Sequence, residues 1–470
     1  MKKSSMRTLM NTSSISTRIA LPRCRRYSQS HSVTTTASTL SMPTTSRQSI
    51  TAKTLPPLSL MPTPLLLRSY LITSILSSSR LLKLSLPLLN IIAHSPSRFL
   101  NPDKNPIIGL LVRKIIYEHF VAGDCEAAVK NTVAQMKQVG FQGVILGYAK
   151  EFAADEGDVG NEETDVRRWK EGYEKTMEMI GPEDFMAVKF SGAGAPTLSA
   201  LANKQPPPPQ MWTEMLSLCH AAKAKNIRVW IDAEQQDLQP TIDDWTLLLM
   251  RKFNRNNQAF MYNTFQAYLK STPNNILKYL KLAQDEGWTM GIKLVRGAYI
   301  ATEKRELIHD TIEQTHNAYN GIVENLLKRQ YPGLDEKKPY PEVALMLASH
   351  NETSIKNAYA IQKSLIEQGQ PTIKLEYGQL QGMADEVSCG LLQLCQQGGE
   401  KGGSEKRIEM DEKLRPRAFK CLAWGSTQEC LQFLLRRVKE NGDAVSRTGG
   451  WVVRFRKEIW RRVKGSFRMI

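Results

Sequence analysis

Two adjacent arginines in the stretch CLQFLLRRVKENG, residues 430–442, offer the chemistry for holding a carboxylate. Each guanidinium is a planar fork of donors that matches the two carboxylate oxygens. Leu431, Leu434, Leu435 and Val438 follow the i, i+3, i+4, i+7 spacing of a helical face that packs inward. Phe433, Arg436, Arg437 and Glu440 repeat that spacing on a neighbouring face. An aromatic ring, two cations and a carboxylate placed there can close over the mouth of a binding site. The same four residues also suit a solvated face with an Arg–Glu pair.

The elements that would position such a helix are legible as eight short apolar runs. They are 143–147 (GVILG), 185–190 (FMAVKF), 227–232 (IRVWID), 260–264 (FMYNT), 290–295 (MGIKLV), 343–349 (VALMLAS), 373–377 (IKLEY) and 419–424 (FKCLAW). Strands buried on both faces read in this way. Helical patterns lie between them. Residues 274–283 place Ile276, Leu277, Leu280 and Leu282 on an apolar side, and 353–365 opens on Thr353 as a cap. Eight strands, each with room for a helix after it, predict a (β/α)8 barrel of the TIM type rather than an open sheet. An open nucleotide-binding sheet usually carries GxGxxG after its first strand. The nearest stretch here, SGAGAP at 191–196, lacks the third glycine, runs into proline and reads as a loop.

In a barrel, chemistry sits at the C-terminal ends of the strands. The second run ends near Lys189, the third at Asp232, and the fourth leads toward Gln266. The fifth carries Lys293, Val295 and Arg296 into Gly297, Ala298 and Tyr299; the sixth ends in Ser349, His350 and Asn351; the seventh leads to Leu380. Each residue alone has a plain structural reading, such as capping the next helix. Their recurrence at one end of six successive strands marks a site.

Charge and composition exclude several classes. The chain has 470 residues, 63 Lys/Arg, 46 Asp/Glu and a formal net charge of +17. No acidic residue precedes Asp103, while 13 Lys/Arg do, so the remainder holds 50 basic against 46 acidic residues. A nearly neutral body argues against nucleic acid as a partner. Residues 1–50, rich in Ser, Thr and Arg, fit a mitochondrial transit region. Residues 51–104 form a Leu- and Ser-rich amphipathic or linker segment that lies on a membrane or on the folded domain. Arg68, Arg80, Lys83 and three prolines interrupt its apolar run, which falls short of the ~20 residues of a spanning helix. The barrel occupies 105–470. Seven scattered cysteines without CxxC, and seven histidines without HExxH, speak against a disulfide framework and a metal site. Surface insertions are expected at 155–165, 204–210 and 397–406.

Four segments in order, KLVRGAYI (293–300), SHNE (349–352), EYGQLQGM (376–383) and FLLRRVKEN (433–441), resemble the signature segments of FAD-dependent proline dehydrogenase, also called proline oxidase. VKFSG (188–192) and IDAE (231–234) fit the same pattern. The long N-terminal region and the insertions resemble those of fungal mitochondrial members. The resemblance implies a distorted barrel with FAD at the C-terminal ends of its strands. It implies oxidation of L-proline to 1-pyrroline-5-carboxylate by hydride transfer to flavin N5, the first step of proline catabolism to glutamate. Electrons pass to membrane quinone, with a peripheral contact on the matrix side of the inner membrane. By the same resemblance, Lys189, Arg436 and Arg437 hold the substrate carboxylate, Tyr299 packs against the substrate, Asp232 orients polar groups and Glu440 fixes the arginine pair. Gln266, Lys293, Val295, His350, Asn351 and Leu380 line the flavin, and Arg296, Gly297 and Ala298 pass close to it. Family members often carry tyrosine at the positions of Cys421 and Phe433, and bacterial members often carry arginine at that of Lys293. Those departures bear on substrate affinity and choice. A dehydrogenase for hydroxyproline or another cyclic imino acid, or a non-catalytic paralogue, stands as the alternative.

Overall fold

The computed structural model describes residues 55–149, 162–397, 405–440 and 444–467. The transit-like stretch 1–50 and most of the insertions at 155–165 and 397–406 lie outside them. The last residues of the acidic insertion belong to the helix Glu162–Met179, which opens on Glu162, Glu163 and Asp165, where negative charge complements the helix dipole.

Among the described residues there are nine strands: β1 (Val121–Gly123), β2 (Gly143–Tyr148), β3 (Phe185–Val188), β4 (Arg228–Ile231), β5 (Met261–Gln266), β6 (Met290–Val295), β7 (Val343–Ala348), β8 (Lys374–Leu380) and β9 (Arg417–Trp424). β2 to β9 pair in parallel with their neighbours, and β9 returns to pair with β2 from Gly143↔Phe419 to Tyr148↔Trp424. The result is the expected closed eight-stranded barrel. The short β1 is an addition beside the end of β9. The strands alternate between two environments. Ile145, Phe185, Trp230, Tyr262, Met346 and Phe419 fill the interior, while neighbours such as Val229, Ile231, Leu345 and Leu347 pack outward under the helices.

The N-terminal end of the barrel is sealed by charge and aromatic rings. Arg228, at the start of β4, lies 3.8 Å over the Phe185 ring and donates to Glu376 of β8 at 2.6 Å. Arg417 donates to the other Glu376 oxygen at 3.0 Å. Glu376 has no exposed surface, so these partners are what make its charge tolerable in the interior. Phe185 meets Trp230 at 5.7 Å, and the Trp230 ring carries Lys293 Nζ at 3.9 Å. A stack of cation, ring, ring and cation thus runs up the barrel from its floor.

The helix Thr272–Glu286 buries Ile276, Leu280 and Ala283, as the apolar spacing requires. The helix Glu352–Glu367 corrects one expectation. Its cap is Asn351, whose side chain accepts the Ser354 N–H at 2.9 Å. Thr353 lies inside the helix, because Asn, extended at the position before the first turn, reaches a free N–H that a residue within the turn does not.

The Leu-rich segment is folded against the barrel. Leu58, Met61 and Leu66 pack with Cys389 and with Phe455 of the helix Ala444–Phe467. The helix Ser79–His94 lays Ile92 and Ala93 against Leu431 and Leu435 of the helix Thr427–Glu440.

Candidate active site

The C-terminal mouth of the barrel gathers ionisable side chains from five elements. Lys189 follows β3. Its backbone N–H donates to the Tyr173 hydroxyl at 3.0 Å, and its carbonyl accepts the Trp169 Nε1–H at 2.9 Å. Both rings come from the helix Glu162–Met179, so that helix holds the turn bearing the lysine. Asp232 follows β4, where its N–H continues the ladder to the Val188 carbonyl at 2.9 Å. Its carboxylate accepts Lys293 Nζ at 2.5 Å. Lys293 is therefore held from below by the Trp230 ring and from the side by Asp232, which fixes one cation inside the barrel.

Tyr299 lies in the loop after β6 and donates its hydroxyl to the Ala233 carbonyl at 3.1 Å. Burial pushes that hydroxyl above its ordinary value; Lys189 and Arg437 act in the opposite sense, and Glu234 and Asp232 add to it. Burial likewise pushes the Cys421 thiol up to about 12, with Lys293 and Arg437 opposing and Asp232 adding. The charges that act on these two groups overlap, so Lys189, Asp232, Lys293 and Arg437 share one region with Tyr299 and Cys421. Cations outnumber carboxylates among the expected residues there, which suits a bound anion.

Arg436 and Arg437 are half-buried on the helix Thr427–Glu440. The Arg437 guanidinium sits 5.3 Å from the Phe433 ring. Glu440 ends this helix, and its side chain lies outside the described residues. Leu431 and Leu435 are buried as expected, but against the N-terminal helix; Phe433 and Leu434 pack on Tyr117, Ala149 and Ala423.

The remaining expected residues divide by direction. The Gln266 side-chain carbonyl accepts the Ala298 N–H at 3.0 Å, pinning the loop after β6 to the end of β5. Val295 ends β6 and accepts the Ala267 N–H at 2.9 Å. Arg296 turns away into the helical layer, donating to His316 at 3.1 Å, Ser349 at 2.7 Å and Ser354 at 2.8 Å and lying 4.3 Å over Tyr319. His350 Nε2 accepts the Leu380 N–H at 3.2 Å, tying the ends of β7 and β8 together. Leu380 is 41% exposed. A cavity of about 300 Å³ opens beside Gln266, lined also by Gln239, Asp243, Thr264 and Thr272.

Gly297 is where the loop comes closest to its support. A Cβ there would meet Tyr268 ring atoms at 2.4 Å, and Tyr268 is buried. Although Gly297 itself is exposed, its added methyl would press on that buried ring, so Gly297→Ala is expected to cost ~1–3 kcal/mol. Chemical unfolding measures it, and a cost within error of zero would show that the Tyr268 ring gives way freely.

Glu234 is not among the expected residues. It is buried, accepts the Ser191 N–H at 3.3 Å and lies in the field of Lys189. Its signal in the sequence is its place two residues beyond Asp232.

The family model described as proline dehydrogenase matches residues 129–449. Mitochondrial proline dehydrogenase 1 of Caenorhabditis elegans is 30% identical over 59% of this chain and 42% of its own. Hydroxyproline dehydrogenase of Rattus norvegicus is 26% identical over 76% of this chain and 84% of its own. The chain spans half or less of the length of the proline dehydrogenases it matches. Among solved structures, proline utilization A from Bdellovibrio bacteriovorus, inactivated by N-propargylglycine, matches 79% of this chain and 38% of its own with a TM-score of 0.58 at 14% identity. That likeness is one of fold, and it agrees with the closed parallel barrel. With the family model matching well over half of its residues, the chain belongs to the proline dehydrogenase family.

Proposed function

We propose that this chain is a FAD-dependent proline dehydrogenase of the fungal mitochondrial type, oxidising L-proline to 1-pyrroline-5-carboxylate on the matrix side of the inner membrane and passing the electrons to quinone. The observation that carries this reading is the meeting of Lys189, Asp232, Tyr299, Lys293 and Arg437 at the C-terminal end of a closed barrel. The transit-like composition of residues 1–50 supports the compartment.

The residues present fit a flavin. Gln266 Nε2 is a buried donor with no hydrogen-bond partner among the described residues, and a buried donor calls for an acceptor. Lys293 is a fixed cation beside it in the barrel wall, since β5 pairs Thr264 with Lys293. Gln266, Lys293, Val295, His350, Asn351 and Leu380 would hold the cofactor, with the backbone of Arg296, Gly297 and Ala298 close by. When bound, FAD supplies the two-electron acceptor for the hydride of the ring carbon beside nitrogen. Lys189, Arg436 and Arg437 neutralise the substrate carboxylate and fix the ring's position. Tyr299, anchored on Ala233, bounds the ring's other side. By the resemblance, Glu440 would fix the arginine pair. Lys293, kept in place by Asp232, would offset the negative charge that a bound cofactor gains when it takes up the substrate's electrons. Once the ring nitrogen has given its ammonium proton to solvent, its lone pair forms the C=N bond as the hydride leaves the neighbouring carbon, so no enzyme nucleophile is needed.

An anaerobic visible spectrum of the full chain before and after L-proline tests the reading. Expected is a flavin spectrum that bleaches. A folded protein without flavin, or with flavin unaffected by any imino acid, is a non-catalytic paralogue. A second reading, oxidation of 4-hydroxyproline, is favoured by the hydroxyproline dehydrogenase match over most of that protein's length and by the compact Cys421 side chain in the barrel interior. Faster bleaching by the hydroxylated ring than by proline would select it.

A further inference from the structure

The helix Ala444–Phe467 docks through one stripe of side chains. Trp451, Arg454, Phe455, Glu458 and Arg462 follow one another at steps of three and four, the spacing of a single helical face. At the far end, Arg462 donates to the Leu58 and Met61 carbonyls at 3.1 and 2.7 Å and to the Thr63 hydroxyl at 2.8 Å. Buried Glu458 accepts Arg462 Nε–H at 2.8 Å, which orients that fork. Phe455 packs among Leu58, Met61, Leu66 and Cys389.

The near end of the stripe reaches the C-terminal ends of β7 and β8. Arg454 Nη1 lies 2.6 Å from a carboxylate oxygen of Glu352 and 2.6 Å from one of Glu386. Glu352 opens the helix after β7, and Glu386 lies in the first turn of Asp385–Gln397, the helix after β8. One guanidinium therefore joins the starts of two successive helices. Trp451 packs on both the helical layer of the barrel and the N-terminal cluster. Its ring meets the His350 ring edge to face, with centroids 6.4 Å apart and planes at 74°. The hydrogen bond from the Leu380 N–H to His350 Nε2 fixes one point of the imidazole and leaves its tilt open. The Trp451 ring supplies the second restraint.

We propose that Trp451 and Arg454 are positioning residues for the cofactor. They set the His350 ring, clamp the helices after β7 and β8, and so tighten the hold on FAD. Both lie beyond residue 449, where the match to the family model ends. The inference rests on the flavin reading above, in which His350, Asn351 and Leu380 hold the cofactor. It gives the segment 58–66 a share in that hold, because the same helix braces the strand ends at one end and is itself braced by that segment at the other.

The test is binding of FAD to the flavin-stripped full chain, followed by flavin fluorescence. Trp451→Ala is expected to weaken FAD binding roughly two- to tenfold, as loss of an edge-to-face ring pair does, while Trp451→Phe, which keeps a ring, stays near wild type. His350→Ala should weaken it comparably. His350→Ala/Trp451→Ala should then bind no more weakly than His350→Ala alone, since residues that act through one contact are not additive. Arg454→Gln should cost about two- to fivefold, and Arg454→Lys should recover most of it. The Arg454 side chain is 42% exposed, so its variants keep the fold even where Trp451→Ala does not. Wild-type affinity in either Trp451→Ala or Arg454→Gln overturns the proposal. So do losses that multiply in the double variant, which would make the helix a general support that bypasses His350. Absence of FAD binding by wild type sinks the flavin reading itself; FAD binding that these variants leave untouched sinks the positioning role alone.

Discussion

Arg436→Met is expected to raise the KM for proline by about a hundredfold or more while flavin content stays near that of wild type. A guanidinium that holds a carboxylate at a site screened from water is worth several kcal/mol, and each 1.4 kcal/mol is about tenfold in affinity. Met keeps much of the aliphatic length and removes the donors, so the helix Thr427–Glu440 keeps its packing through Leu431 and Leu435. Arg436 is half-buried on the helix Thr427–Glu440, beside Arg437, whose charge acts on Tyr299 and Cys421. Steady-state kinetics on proline, with the absorbance ratio of flavin to protein, makes the check. An unchanged KM removes Arg436 from the substrate site, and a lost flavin spectrum makes its role cofactor retention.

The second large effect is on stability. Glu376→Gln should cost ~3–5 kcal/mol at neutral pH, because it leaves Arg228 buried with its charge poorly matched. Burial alone would push the Glu376 carboxyl up; Arg228, Lys374 and Arg417 outweigh it and hold the carboxyl below its usual range. A depressed native value means the ion pair stabilises the fold above the unfolded-state carboxyl range and loses that contribution as pH falls through the native value. The Gln variant should therefore show a lower stability at pH 7 and a shallower decline toward acid. Urea unfolding across that range measures both. Curves that run parallel to wild type, offset by less than about 1 kcal/mol, would mean the floor is held by Phe185, Tyr262 and Phe419 instead. KM for proline should not move, since this cluster sits at the barrel end opposite the candidate site.

These two sites are unequally legible in the sequence. Arg436 can be picked out because an arginine pair interrupts an apolar helical spacing, and the strand-end residues because polar groups follow apolar runs. The eight barrel strands stand out for a related reason: short runs buried on both faces have a composition that neither helices nor loops share. The floor is not legible, because Arg228 and Glu376 read as charged interruptions within strands, and only closure of the sheet brings β4 and β8 face to face. β1 is too short at three residues to show a period. The Arg296 side chain illustrates the limit of strand-end reasoning. It occupies a mouth position, yet its direction into the helical layer depends on His316, Ser349 and Ser354, which are distant in sequence. Thr353 misleads as a cap for a local reason, since Asn351 two residues earlier offers the same kind of oxygen.

The packing of Ser79–His94 against Leu431 and Leu435 changes how a shortened version of this chain should be interpreted. The span shared with the family begins at residue 129, and a boundary drawn there by similarity cuts through a closed hydrophobic seam. Each of those leucines, once uncovered, forfeits about 1.5–3 kcal/mol, and both lie on the helix that carries the arginine pair. Inactivity of such a fragment would report a missing brace on the lid and leave the chemistry beneath it unjudged.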